Sequence, residues 1–101
     1  MTNAEATWDA QLAAWRDRGD RAAFEALVRP WLPAIRRMIH MNVGRDAALF
    51  EEVQETVLIA LMSGLRSYRE ESAFSTFLFT LVKHKAIDEL RRRNRDKIRP
   101  E

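Results

Sequence analysis

Apolar residues recur along this chain at steps of three and four, the period of helices that bury one face. Trp8, Leu12 and Trp15 fall at i, i+4 and i+7, which predicts a first helix over residues 7–18 with both indoles on its buried side. Arg18-Gly19-Asp20 then reads as a stop, a turn and an N-cap. A second pattern, Phe24, Leu27, Val28, Trp31, Ile35, Met38 and Ile39, contains Pro30 and Pro33. Each proline removes an amide donor and pushes the residue before it away from helical geometry, so a kink or break is predicted near Trp31. Gly44 ends this element, and Asp46 is placed to cap the next.

The stretch from Phe50 to Leu65 carries two stripes when wound as a helix. Phe50, Val53, Val57, Ala60, Leu61 and Gly64 form a core face. Glu51, Gln54, Glu55, Leu58 and Met62 form a second stripe about a third of a turn away. A solvated face has no need of Leu58 and Met62. Carboxylates and an amide beside bulky apolar groups suit a partner helix, with apolar groups supplying area and charges setting register. The same spacing also fits a wider core face.

Residues 66–72, RSYREES, are polar and predict a loop with Tyr68 as its only large ring. A long helix follows over residues 74–95, with Ser72 as its cap and Leu78, Val82, Ala86 and Leu90, joined by Leu81 and Phe74, as its core stripe. Roughly opposite lie Phe77, Thr80, His84, Asp88, Arg91 and Arg95. That mixture suits nucleic acid: rings stack on unpaired bases, hydroxyl and imidazole reach base edges, and guanidinium groups hold phosphates. Cations in a last turn also complement the helix dipole, which accounts for Arg91 to Arg95 but not for Phe77.

Composition narrows the picture. A chain of 101 residues fits one domain, here residues 1–95, with 96–101 as a frayed tail or the start of a linker. Abundant Ala, Leu, Arg and Glu with three glycines and three prolines predict an all-α fold, a compact bundle of four to five helices. There is no cysteine, no apolar run of bilayer length and no signal-peptide pattern, so a cytoplasmic protein is expected. The net charge of +2 conceals poles. Residues 46–72 carry two basic against six acidic groups, and residues 73–101 carry eight against four. Two partners of opposite character are implied, one accepting carboxylates and one offering phosphates.

Catalytic patterns are absent: there is no glycine-rich phosphate loop, no HExxH and no nucleophile with an evident base. An enzyme is not expected, nor a cofactor. Glu51, Glu52 and Glu55 lack the Glu-x-x-His partner of a bundle metal site, and His84 with Asp88 supplies too few ligands. His40 reads as a helix-end histidine.

Four segments in order carry a resemblance: Gly19 to Leu27 (GDRAAFEAL), Glu51 to Glu55 (EEVQE), Phe74 to Leu78 (FSTFL) and Ala86 to Arg93 (AIDELRRR). Each is weak alone, but in this order and spacing they resemble region two of bacterial sigma factors, the extracytoplasmic-function group in particular, over nearly all of the chain from Gly19 to Asn94. The resemblance implies the region-two bundle and a transcription initiation factor domain. Glu51, Gln54, Glu55, Leu58 and Met62 would dock on the clamp helices of the RNA polymerase largest subunit, where the family has Asp-Leu-Val-Gln-Glu. Glu51 stands in the place of that Asp and Glu52 in the place of the Leu.

The minus-ten element, its non-template strand above all, would be recognised and opened by Tyr68, Ser72, Phe74, Phe77, Thr80, Lys83, His84, Asp88, Arg91, Arg92 and Arg95. Phe77 takes a place usually held by Trp or Tyr, and His84 one where Asn is common. Phe77 is the leading stacking ring, and Tyr68 would add a second surface or the wall of a pocket for an extruded base. An anti-sigma protein is a candidate partner. The family's second helix-turn-helix domain is missing from this stretch, which reads as an excised piece of a longer factor or, as the alternative, an unusually short one. The alternative class is a helical interaction module, an adaptor or antagonist with a sigma-like fold that leaves DNA alone.

Overall fold

Two of the helix starts fall where an aspartate satisfies free amides. The computed structural model describes residues 3–98, with side chains from Thr7 to Asp96. Five α-helices follow one another, α1 (Asn3–Arg18), α2 (Arg21–Val28), α3 (Leu32–Val43), α4 (Ala47–Ser67) and α5 (Phe74–Ile98), with a 3-10 turn, Arg29–Trp31, between α2 and α3. The Asp20 carboxylate accepts the Ala23 amide at 3.2 Å and that of Asp46 accepts the Leu49 amide at 3.0 Å, as N-caps do. Gly19 (φ +63) and Gly44 (φ +66) adopt positive φ after α1 and α3, and their amides return to the Trp15 and His40 carbonyls.

The break expected near Trp31 is the 3-10 turn itself. Pro30 is the second residue of that turn and Pro33 the second of α3, first-turn positions where proline is tolerated. His40 stands in the last turn of α3, its Nδ1 3.3 Å from the Gly44 carbonyl oxygen and its ring stacked on Phe50.

The core stripe of α4 differs from the expected one. Leu49, Val53, Val57, Leu61 and Leu65 are buried, while Phe50, Ala60 and Gly64 lie half-exposed beside them. Steps of four advance the face by roughly 40° each, so five such positions wind about 160° round the helix. The winding ridge lets α4 meet α3 and α5 along much of its length and α1 near its end. There the Trp15 indole donates to the Met62 carbonyl (3.0 Å), and Arg16 Nε donates to that of Leu65 (3.0 Å), one of the last four carbonyls of the helix.

Helix α5 packs through Leu78, Val82 and Ala86. Leu90, expected in that stripe, is exposed: steps of four turn the face by roughly 40° each, and at this level Glu89 and Arg93 take the side toward α4, meeting Thr56 and Asp46. The molecule measures 57 × 24 × 24 Å. Asp96 to Ile98 continue the helix, so half of the expected tail is helical, and residues 99–101 lie outside the described residues. The cap of α5 also differs. Ala73 directly precedes it, offering its carbonyl to the Thr76 and Phe77 amides, while the Ser72 carbonyl is taken by the Tyr68 hydroxyl. Trp8, expected on a buried side, is half-exposed: it tilts against Phe74 and its indole donates to Glu70. Among the described residues no helix is long and apolar enough to cross a membrane.

The two stripes of α4 should separate energetically. Leu61→Ala is expected to lower unfolding free energy by roughly 2–5 kcal/mol in urea titration, and half-buried Leu58→Ala distinctly less. Equal losses would place Leu58 in the core.

Candidate nucleic-acid interface

The loop before α5 is built around rings. Tyr68 is buried, 8% exposed, its hydroxyl donating to the Ser72 carbonyl at 2.6 Å. Its ring meets Phe74 at 5.8 Å and Phe77 at 4.8 Å between centroids. Phe74 in turn touches Trp8 (4.9 Å), Trp31 (5.0 Å) and Phe77 (5.9 Å), so it holds the loop to α1 and to the turn before α3. These contacts correct the expectation of free ring faces. Phe74 is a packing centre, and burial leaves Tyr68 only the role of a pocket wall. Phe77 is half-buried and lies over Gly64, where an added Cβ would sit 3.2 Å from the Phe77 Cζ.

A depression of about 250 Å³ lies here, lined by Ser67, Tyr68, Arg69, Glu71, Ser72 and Phe77. From it the outer face of α5 runs through Thr80, His84, Arg91 and Arg95, all exposed, with Lys83 alongside. Asp88 shares that face and reaches Lys85 at 4.0 Å. Sequence reasoning missed Phe79, 44% exposed one turn before Lys83. Its position beside the core stripe hid it, since an apolar ring there reads as packing.

The arginines divide. Arg91 and Arg95 have no ion-pair partner among the described residues. Arg92 bonds Glu89 at 2.7 Å and approaches Glu52 at 3.7 Å. Arg93 bonds Asp46 at 2.7 Å and Glu52 at 3.4 Å. Arg92, expected as a free phosphate contact, is thus engaged within the chain, and the bond to Glu89 pushes its pKa up. The Leu49 amide, and after it Arg93, hold the Asp46 carboxyl below the ordinary range against the opposing effect of desolvation.

The second surface lies on α4. Glu51 and Glu55 are exposed, and Gln54 accepts from Arg36 Nε at 3.2 Å. Leu58 and Met62 pack partly against the core and partly line an apolar groove of about 350 Å³ with Phe24, Val28 and Leu32 of the neighbouring elements. Ile59, 60% exposed at the groove edge, completes this stripe and fell outside the sequence reading because it lies one position off the expected spacing.

Fold and faces together define an all-α domain with one edge that is acidic and apolar and one that is cationic, leading from a ring-walled depression. Residues 27–96 match the family model of sigma-70 region 2, and the chain belongs to that family. With membership comes a sigma-factor-like role in RNA polymerase binding and promoter recognition. The match takes in α3, α4 and nearly all of α5, and begins after most of the Gly19 to Leu27 segment. Among curated proteins and solved structures, none matches the chain significantly.

Burial, and after it Glu70, push the Tyr68 hydroxyl above its ordinary pKa of 10.0. A raised folded-state value favours the neutral ring, so this stability is complete below pH 10 and is lost as pH rises through the folded value. Wild-type melting temperature should therefore fall more steeply above pH 10 than that of Tyr68→Phe. Parallel alkaline limbs would mean that the hydroxyl is already free in the folded protein.

Proposed function

We propose that this chain is the core-binding and minus-ten-binding domain of an extracytoplasmic-function sigma factor. In this reading α4 docks on the polymerase clamp helices through Glu51, Gln54, Glu55, Leu58 and Met62, with Ile59 added at the groove edge. Helix α5 and the loop before it take the non-template strand of the minus-ten element. The observation that carries the reading is the continuous path from the depression beside Tyr68 and Phe77, along Thr80 and His84, to Arg91 and Arg95, which have no ion-pair partner among the described residues. A base extruded from the strand loses its stacking, and a ring wall next to cations restores part of it, at ~1–3 kcal/mol per stacked base. Ser72, Arg69 and Glu71 at the rim supply polar groups for a base edge, while Arg91 and Arg95 hold phosphates without reading sequence.

Filling the depression tests the assignment while sparing the packed rings. Ser67→Phe should weaken binding to a single-stranded minus-ten oligonucleotide and leave both duplex affinity and melting temperature near wild type. Arg91→Gln and Arg95→Gln should instead weaken all sequences alike, each lowering the salt slope by about 0.7 on single strands. Polymerase capture should fail for Glu55→Arg combined with Ile59→Asp. A chain that captures polymerase through this edge yet binds no DNA at low salt would belong to the interaction-module class instead.

A further inference from the structure

Four arginines stand between positions 91 and 95 of α5, and two of them are neutralised from within. Glu52 on α4 is shared, 3.7 Å from Arg92 and 3.4 Å from Arg93. A single oxygen of Glu89, Oε2, accepts from both Nε and Nη2 of Arg92, at 3.2 and 2.7 Å, the donor edge that a guanidinium also offers a phosphate oxygen. Asp46 splits its oxygens, Oδ1 to the Leu49 amide and Oδ2 to Arg93. Exposure is uneven: the Arg92 and Glu52 side chains are 54% and 42% exposed, while Glu89 is 13% exposed. The pairs made by Glu52 are therefore the weak and exchangeable ones, and on the open side of Arg92 another anion can compete with a carboxylate.

Resting on the proposed DNA-binding role of α5, we propose that Glu52 and Glu89, with Asp46, act as intramolecular phosphate mimics. They occupy Arg92 and Arg93 and so set how strongly the cationic end of α5 attracts any DNA backbone. Sequence-independent affinity grows with the number of phosphates neutralised, so withholding two cations lowers the background against which base contacts at the depression are weighed. A tether with no such role would behave differently. Its loss would reduce stability without raising affinity for DNA.

The test uses the full chain and a labelled duplex of arbitrary sequence, with anisotropy followed across a salt titration. Glu52→Gln combined with Glu89→Gln removes the mimics and leaves the Asp46 cap. Asp17→Asn with Glu25→Gln makes the same change of net charge on α1 and α2. The first pair should bind several-fold tighter than wild type and than the control pair, with a salt slope steeper by about 0.9 for each phosphate gained. Adding Arg92→Gln and Arg93→Gln should abolish the gain. If thermal melting shows the double variant to be unfolded, Glu52→Asp, which shortens the reach to both arginines, carries the same expectation. A gain no larger than that of the control pair, or an unchanged slope, overturns the inference while the DNA-binding reading stands. Absence of DNA binding by every form at low salt overturns both.

Discussion

The winding ridge of α4 is the constraint on which the rest of the molecule depends. A straight face at steps of three and four would let this helix serve one neighbour on one side. Five buried aliphatic side chains spaced four apart turn the apolar surface progressively, so one 21-residue helix supplies core to several neighbours. The same rotation decides what is left outside. Near the start of α4 the ridge leaves Glu51 and Glu55 in water. Near its end it leaves Leu58, Ile59 and Met62 at a groove edge beside α2. Docking edge and core are two consequences of one spacing.

The cluster centred on Phe74 performs the corresponding task for the loop. Loops of this length are ordinarily held by backbone hydrogen bonds at their ends, but here four rings converge on Phe74 from three separate parts of the chain. Glu70 at the loop tip adopts φ +60, a conformation uncommon for a residue with a Cβ, and its carboxylate accepts the Trp8 indole at 3.3 Å. The shape of the depression is therefore linked to α1, even though α1 contributes nothing to its lining. A change at Trp8 acts on the loop through Phe74 and Glu70, with no contact to a ligand required.

Most of the fold was legible in the chain, for local reasons. Glycines after α1 and α3, aspartate caps and two prolines each act within a turn of where they stand, and the all-α architecture follows from them. The misreadings have a long-range cause. Steps of three and four cannot distinguish a straight stripe from a winding one, so Leu49 and Leu65 were passed over for Phe50 and Gly64. Whether a ring in a polar loop is free depends on how the chain folds back over it: Tyr68 is covered by Phe74 and Phe77, and Phe74 is held by Trp8 and Trp31 from distant parts of the sequence. Leu90 continues a step of four, but each such step turns the face, and by that level Glu89 and Arg93 are the side chains that meet α4.

Charge shows the same limit in a form that bears on function. Segment by segment, the central part of the chain is acidic and the C-terminal part basic, which suggests two independent fields. In the folded protein the two segments lie side by side, and their charges meet at the seam where Asp46 and Glu52 face Arg92 and Arg93. Opposite charges at contact distance cancel within a Debye length, about 8–10 Å at physiological salt. The fields that reach solution thus come from groups turned away from the seam: Glu51 and Glu55 on one edge, Lys83, Arg91 and Arg95 on the other. In the proposed reading a cationic partner is drawn to the first group and an anionic one to the second, and the neutralised seam between them repels neither.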